Sequence, residues 1–189
     1  MPFIRESIVT TTNADGSAYV APLGVIEDGA RLVIAPFHPS TTLANLQARP
    51  FACVNYTTDV RVFAGCVTRL RRDWPVMPIA DGRGWRLAGA LAHSEVEVVE
   101  VREDEQRPRF VCRVVREVSH APFLGFNRAQ AAVVEAAILV SRLHMLPVEK
   151  IESELRYLRI AIDKTAGEAE RDAWEWLMQA VTAASGGQA

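Results

Sequence analysis

Three hydroxyl side chains, Ser40, Thr41 and Thr42, follow one another in the run His38-Pro-Ser-Thr-Thr-Leu-Ala-Asn45, directly after an apolar strand-like segment. If a helix starts here, its first turn exposes unpaired N–H groups and the positive end of the helix dipole. Hydroxyls added to such an end make a cradle for a phosphate. An ordinary N-cap at Ser40, with incidental threonines, accounts for the same residues. A second hydroxyl cluster, Thr10-Thr11-Thr12, ends the first strand-like run, where β-branched residues are also simply good strand formers. Asn55 interrupts an apolar run, where a buried amide needs a partner. Asn127 and Arg128 open a long helical pattern. They read either as a cap and a surface charge or as an amide and a guanidinium aimed at a phosphate. In Ala21-Pro22-Leu23-Gly24, Pro removes a ladder donor and Gly lets another body approach the backbone. A flat ring lying against that strand, or a bulge or sheet edge, fits these residues.

Catalytic constellations are scarce. There is no GxSxG elbow, HExxH, P-loop or GxGxxG. The histidines at 38, 93, 120 and 144 lack metal-ligand spacing, so no metal is expected, and no catalytic residue can be assigned. Cysteines stand at 53, 66 and 112 without a CxxC pair, which fits a reducing cytosol better than a disulfide scaffold.

The elements that must position these residues divide near residue 120. SIVTTT, AYVAPLGVI, RLVIAPF, FACVNYT and VRVFAGCVTRL read as short strands. Asn13-Ala-Asp-Gly16 and Glu27-Asp-Gly29 read as tight turns between antiparallel neighbours. Thr41 to Ala48 reads as a short helix stopped by Pro50, and residues 71–93 as an irregular excursion with one short element near Trp85 to Ala90. Glu95 to Val101 and Arg109 to Val118 form a hairpin around the polar turn 103–108. Beyond His120 the period becomes helical: Asn127 to Leu146, a second helix from Pro147 and a third after Gly167, with a frayed tail from Ser185 to Ala189.

Composition sets the outer limits. The 189 residues carry 21 basic and 23 acidic side chains, a net charge of -2, which gives no general attraction to nucleic acid or to an anionic membrane surface. The most apolar stretch, Ala129 to Leu146, contains Glu135, Arg142 and His144, which suits a buried helix rather than a membrane span. The N-terminus, MPFIRES, has no apolar signal core.

Taken together, the runs SIVTTTNADGSAYVAPLGV, RLVIAPFHPSTTLANL, FACVNYTTDVRVFAG and FLGFNRAQAAVVEAAILVSR resemble the uncharacterised FMN-binding proteins of the flavin-reductase-like split-barrel superfamily. The resemblance covers most of the chain. It implies an antiparallel split β-barrel of six strands over residues 1–122, a C-terminal helical subdomain over 123–189, a cytoplasmic homodimer, and FMN held at or near the dimer interface. It assigns the FMN phosphate to Ser40, Thr41 and Thr42, with Asn45 supporting that loop. Thr10, Thr11, Thr12 and the Pro22–Leu23–Gly24 backbone line the isoalloxazine or ribityl region, Asn55 adds a polar contact, and Asn127 and Arg128 reach the phosphate. Many relatives carry a basic residue in the phosphate loop. Positions 40 to 42 have none, which leaves the charge to the helix terminus and to Arg128 or Arg49. Three functions follow as expectations: an FMN-dependent oxidoreductase fed by a reduced nicotinamide or another donor, a flavin-binding carrier without turnover, or a ligand-free dimeric scaffold built on the long helix and an exposed Trp174.

Overall fold

The computed structural model describes residues 2–186, in two compact units. One unit comprises the chain to Thr57 together with Trp74–Phe123, and the other comprises Thr58–Asp73 together with the chain from Leu124.

The first unit is a closed antiparallel barrel. Its strands are β1 (Phe3–Thr12), β2 (Ala18–Asp28), β3 (Arg31–Ile34), β4 (Phe51–Tyr56), β7 (Ala92–Arg102) and β8 (Arg109–Ser119), in the order β1-β2-β3-β8-β7-β4. Between β4 and β7 a small hairpin, β5 (Val76–Pro78) and β6 (Trp85–Leu87), forms a separate two-stranded sheet. The expected turns form: Gly16 at φ 88 and Gly29 at φ 62 supply the left-handed positions that the two hairpins require. Alternate residues of each strand fill the interior, among them Val9, Val25, Leu32, Ile34, Val54, Val96 and Phe110. Helix α1 (Thr41–Ala48) adds Leu43 and Leu46 to the same core and packs against β1 and β2.

Helix α2 (Arg61–Thr68) stands where VRVFAGCVTRL reads as a fifth strand. The correction has a local cause. Val60, Phe63, Ala64 and Val67 recur at helical spacing, and the Asp59 carboxylate accepts the Arg61 N–H at 3.1 Å and pairs with its guanidinium at 2.9 Å, starting a helical turn. This helix groups with α3 (Arg128–Ser141), α4 (Val148–Thr165) and α5 (Glu168–Gly186) in the second unit.

In that unit α3 turns a face of Ala129, Ala132, Val133, Ala136, Ala137 and Val140 inward. It ends at Ser141 rather than Leu146, because Pro147 disfavours helical backbone at Leu146 and the chain closes with tighter bonds such as Leu143 N–H to Val140 O at 3.3 Å. The Glu170 carboxylate reaches back to the Gly167 N–H at 2.9 Å and accepts from Gln130 at 3.1 Å, tying the start of α5 to α3. Trp174, expected at the surface, is only 6% exposed, because it shares the inward face of α5 with Ala173 and Leu177. The helix also runs through Ser185 to Gly186, and the rest of the expected tail lies outside the described residues. No described helix is long and apolar enough to cross a membrane.

Candidate functional site

Helix α1 begins as the residue types demand. Ser40 has extended backbone and its Oγ accepts the Leu43 N–H at 3.3 Å, while its carbonyl accepts from Ala44 at 3.1 Å. Among the described residues the N–H groups of Thr41 and Thr42 meet no acceptor. The Thr41 side chain is exposed and that of Thr42 is buried. Of the three hydroxyls, then, one caps, one faces solvent and one points into the protein. The dipole and two free N–H groups make this end anion-seeking.

Asn45 does not face that end. Its Nδ2 donates to Thr11 Oγ1 and Asn13 Oδ1, both at 3.0 Å, and so pins α1 to β1 and its hairpin. Arg49 lies at the far end of α1, where its guanidinium approaches Ala14 O at 3.5 Å. Eight helical residues rise about 12 Å, which takes Arg49 away from the Ser40 end.

Thr10 and Asn55 meet in a buried network. Asn55, 0% exposed, places its Nδ2 2.9 Å from Ile8 O and 3.2 Å from both Thr10 Oγ1 and Cys53 O, and its Oδ1 accepts the Leu87 N–H at 2.8 Å. Thr10 Oγ1 also donates to Trp85 O. This amide therefore ties β4 to β1 and to β6, and its hydrogen-bonding capacity is used inside the protein. Thr12 is half-buried at the strand end.

The segment Pro22–Leu23–Gly24 lies on an open edge. β3 pairs with β2 only from Ile26 to Asp28, so from Ala18 to Val25 the side of β2 away from β1 has no strand partner. Pro at an edge loses nothing in the ladder. Gly24 is required by a close neighbour within the sheet: a Cβ there would stand 2.9 Å from Ile4 Cγ2 and 3.3 Å from Glu6 Oε1.

Asn127 caps α3. Its Oδ1 accepts from Ala129 at 2.8 Å and Gln130 at 3.3 Å, and its Nδ2 donates to Thr165 O at 3.0 Å. The capping alternative thus accounts for its amide in full. Arg128 beside it is exposed and makes no hydrogen bond or ion pair among the described residues.

Two features escape the sequence. Arg107, in the polar turn between β7 and β8, donates to Ala35 O from Nε at 3.1 Å and Nη2 at 2.9 Å and lies 4.2 Å over the Phe37 ring. The His38 N–H donates to Gln106 O at 2.9 Å, so that turn and the approach to α1 are sewn together, with a guanidinium at the seam. Nothing in the spacing of residues 35 and 107 signals this long-range pairing.

The second feature is a file of ionisable groups. The Nδ1 of His93 lies 2.9 Å from Nε2 of His120, and its Nε2 lies 3.4 Å from the buried Glu95 carboxylate. Burial holds His93 below its ordinary value of 6.5 despite the opposing pull of Glu95, and loss of solvent lowers His120 in the same direction, with Arg86 and His93 adding to it. Burial likewise pushes the thiols of Cys53 and Cys112 up to about 12, so neither is a nucleophile at neutral pH. No three His, Cys, Asp or Glu side chains converge as a metal-binding set among the described residues.

The architecture recurs in solved structures. An FMN-bound protein from Methanosarcina mazei superposes with a TM-score of 0.80 at 20% identity, covering 94% of each chain. An FMN-binding protein from Thermus thermophilus, with bound 1-cyclohex-2-enone, gives 0.52 at 17% identity over 63% of this chain and 71% of its own. The flavin reductase of styrene monooxygenase from Pseudomonas putida S12 gives 0.53 at 17% identity over 63% of this chain and 83% of its own. At these identities the likeness establishes the fold, a flavin-reductase-like split barrel joined in this chain to a helical unit. No curated protein matches the chain. The N-terminal domain of the family described as protein of unknown function (DUF447) matches residues 5–121 and its C-terminal domain matches 127–179, and the chain belongs to that family.

Proposed function

We propose that this protein binds FMN and passes electrons through it from a reduced nicotinamide or another donor to an acceptor. The observation that carries the reading is the start of α1. Two unpaired N–H groups and the exposed Thr41 hydroxyl form an anion cradle, in a fold shared with an FMN-bound protein from Methanosarcina mazei. The residues fit the group. A phosphate accepts from the Thr41 and Thr42 N–H groups and from the Thr41 hydroxyl, with Ser40 fixing the turn. The edge of β2 at Pro22–Gly24, which has no second strand beside it, offers backbone groups to a flat ring, and Thr12 stands opposite Ala18 at the start of the same strand. Thr10, Thr11, Asn45 and Asn55 hold this frame from within rather than touching the ligand. Arg107, in the same unit as α1, is the cation offered to the phosphate.

Bound FMN would supply the redox chemistry, while the chain binds, orients and shields it. A homodimer is part of this proposal. Leu124 and Phe126, in the helical unit, are 92% and 99% exposed, apolar side chains that a second copy would cover. A flavin carrier without turnover is the second reading. It is favoured because, among the described residues, the buried thiols of Cys53 and Cys112 are pushed up to about 12 and no acid–base pair stands beside α1 and the β2 edge.

The absorbance of the purified protein, with identification of any released flavin, tests the binding. Colourless protein whose thermal midpoint ignores added FMN rejects it. Anaerobic mixing with NADH and NADPH separates the two readings, since rapid bleaching of the flavin excludes a passive carrier.

A further inference from the structure

The helical unit carries a groove that the flavin reading does not use. It runs along α4 and α5 with a volume of about 830 Å³. Its apolar floor is Ile162 of α4 with Trp174 and Met178 of α5. Trp174 and Met178 are one turn apart and therefore share a face. Although Trp174 is 6% exposed, its indole N–H finds no acceptor among the described residues.

The rim holds two cations of different standing. Arg159 is neutralised by Asp163 at 3.6 Å. The Arg171 side chain makes no ion pair or hydrogen bond among the described residues. Residues 171 and 174 are three apart on one helix, so guanidinium and indole lie on one side of it. Glu175, also on the rim, is likewise without a pairing partner among the described residues and opposes a second negative charge.

We propose that this groove binds a planar aromatic monocarboxylate. The ring lies on Trp174, Met178 and Ile162, and the carboxylate accepts from the Arg171 guanidinium and the Trp174 indole N–H. Glu175 selects against a dianion of the same shape.

The test uses the full chain as purified, titrated with 2-naphthoate by calorimetry, with its flavin content read separately by absorbance so that failure here and failure of the flavin reading are distinguishable. Saturable binding at one site per chain is expected. Arg171→Gln should weaken it about tenfold, the loss of one charge-assisted hydrogen bond. Trp174→Phe should weaken it several-fold, and naphthalene-2,3-dicarboxylate should bind at least about tenfold more weakly than 2-naphthoate. Arg171 is exposed, so its variant keeps the test informative if Trp174→Phe fails to fold. No saturable binding, binding unchanged in Arg171→Gln, or binding that vanishes as protein concentration rises because a second copy fills the groove would each overturn the proposal.

Discussion

Asn55 offers a quantitative test of how the barrel is braced. Replacing it by Ala removes the donor 2.9 Å from Ile8 O and strands the Leu87 N–H, which it accepts at 2.8 Å, in a site with no solvent. Two hydrogen bonds at about 1 kcal/mol each, plus about 1–3 kcal/mol for a buried donor left unpaired, give a loss of about 3–5 kcal/mol. That is large against the total stability of a domain. Asn55→Asp keeps the acceptor for Leu87 but sets a carboxylate oxygen against Ile8 O, Cys53 O and Thr10 Oγ1. It must carry a proton to donate there, so its folded pKa is raised above the unfolded value of about 3.9. A carboxyl with a raised folded pKa binds more protons folded than unfolded, so the variant loses stability as pH rises through that window. Urea unfolding of flavin-free protein, followed by circular dichroism at acid and neutral pH, measures both effects. If Asn55→Ala unfolds within about 0.5 kcal/mol of wild type, or Asn55→Asp matches the wild-type pH dependence, the bracing argument is wrong.

The proposed phosphate cradle makes Thr41→Ala the informative single substitution. It removes an exposed hydroxyl, so it should leave the melting temperature unchanged and weaken FMN binding by about 1–2 kcal/mol, five- to thirtyfold, in a fluorescence titration. Arg107→Gln and Arg128→Gln, titrated in parallel, report which guanidinium serves the phosphate, and the effective one should steepen the salt dependence of wild type relative to the variant. His93 has a folded pKa below 6.5, so the unfolded chain takes up a proton first as pH falls. Stability is full above 6.5 and declines through the window beneath it, by at most about 1.4 kcal/mol per pH unit. His93→Gln should flatten that part of a melting-temperature profile, with Glu95, Arg86, Arg116 and His120 as the charged neighbours that set its depth. Phe126→Asp should shift the protein toward monomer in sedimentation, without loss of helix content by circular dichroism.

Much of this architecture is legible in the sequence because local rules and the tertiary structure agree. The Asp15-Gly16 and Asp28-Gly29 turns, the Ser40 cap and the alternation of Val, Leu and Ile along β1 to β4 each point the same way as the fold. The misreadings occur where one pattern satisfies two elements. Val60 to Val67 is β-branched enough for a strand, yet its spacing of three and four, started by Asp59, makes α2. Trp174 is flanked by Glu175 and looks exposed in one dimension, but it faces Ile162 across α4 and α5. The site residues divide by the same logic. A hydroxyl or amide in the sequence announces a hydrogen bond without saying to whom. Ser40 and Asn127 cap, Asn45 and Asn55 brace, and Thr41 faces outward. Arg107 and the His93–His120 pair depend on contacts across 72 and 27 positions, which no local spacing encodes.

The central claim is that α1 holds the phosphate of a flavin mononucleotide, and competition between FMN and riboflavin on flavin-free protein tests it most directly. The two ligands share the ring and ribityl chain and differ in the phosphate alone. With two N–H groups and one hydroxyl on the phosphate, FMN should bind with riboflavin at least about a hundredfold weaker, the equivalent of about 3 kcal/mol. Equal affinity for the two, or no binding of either, would contradict the account.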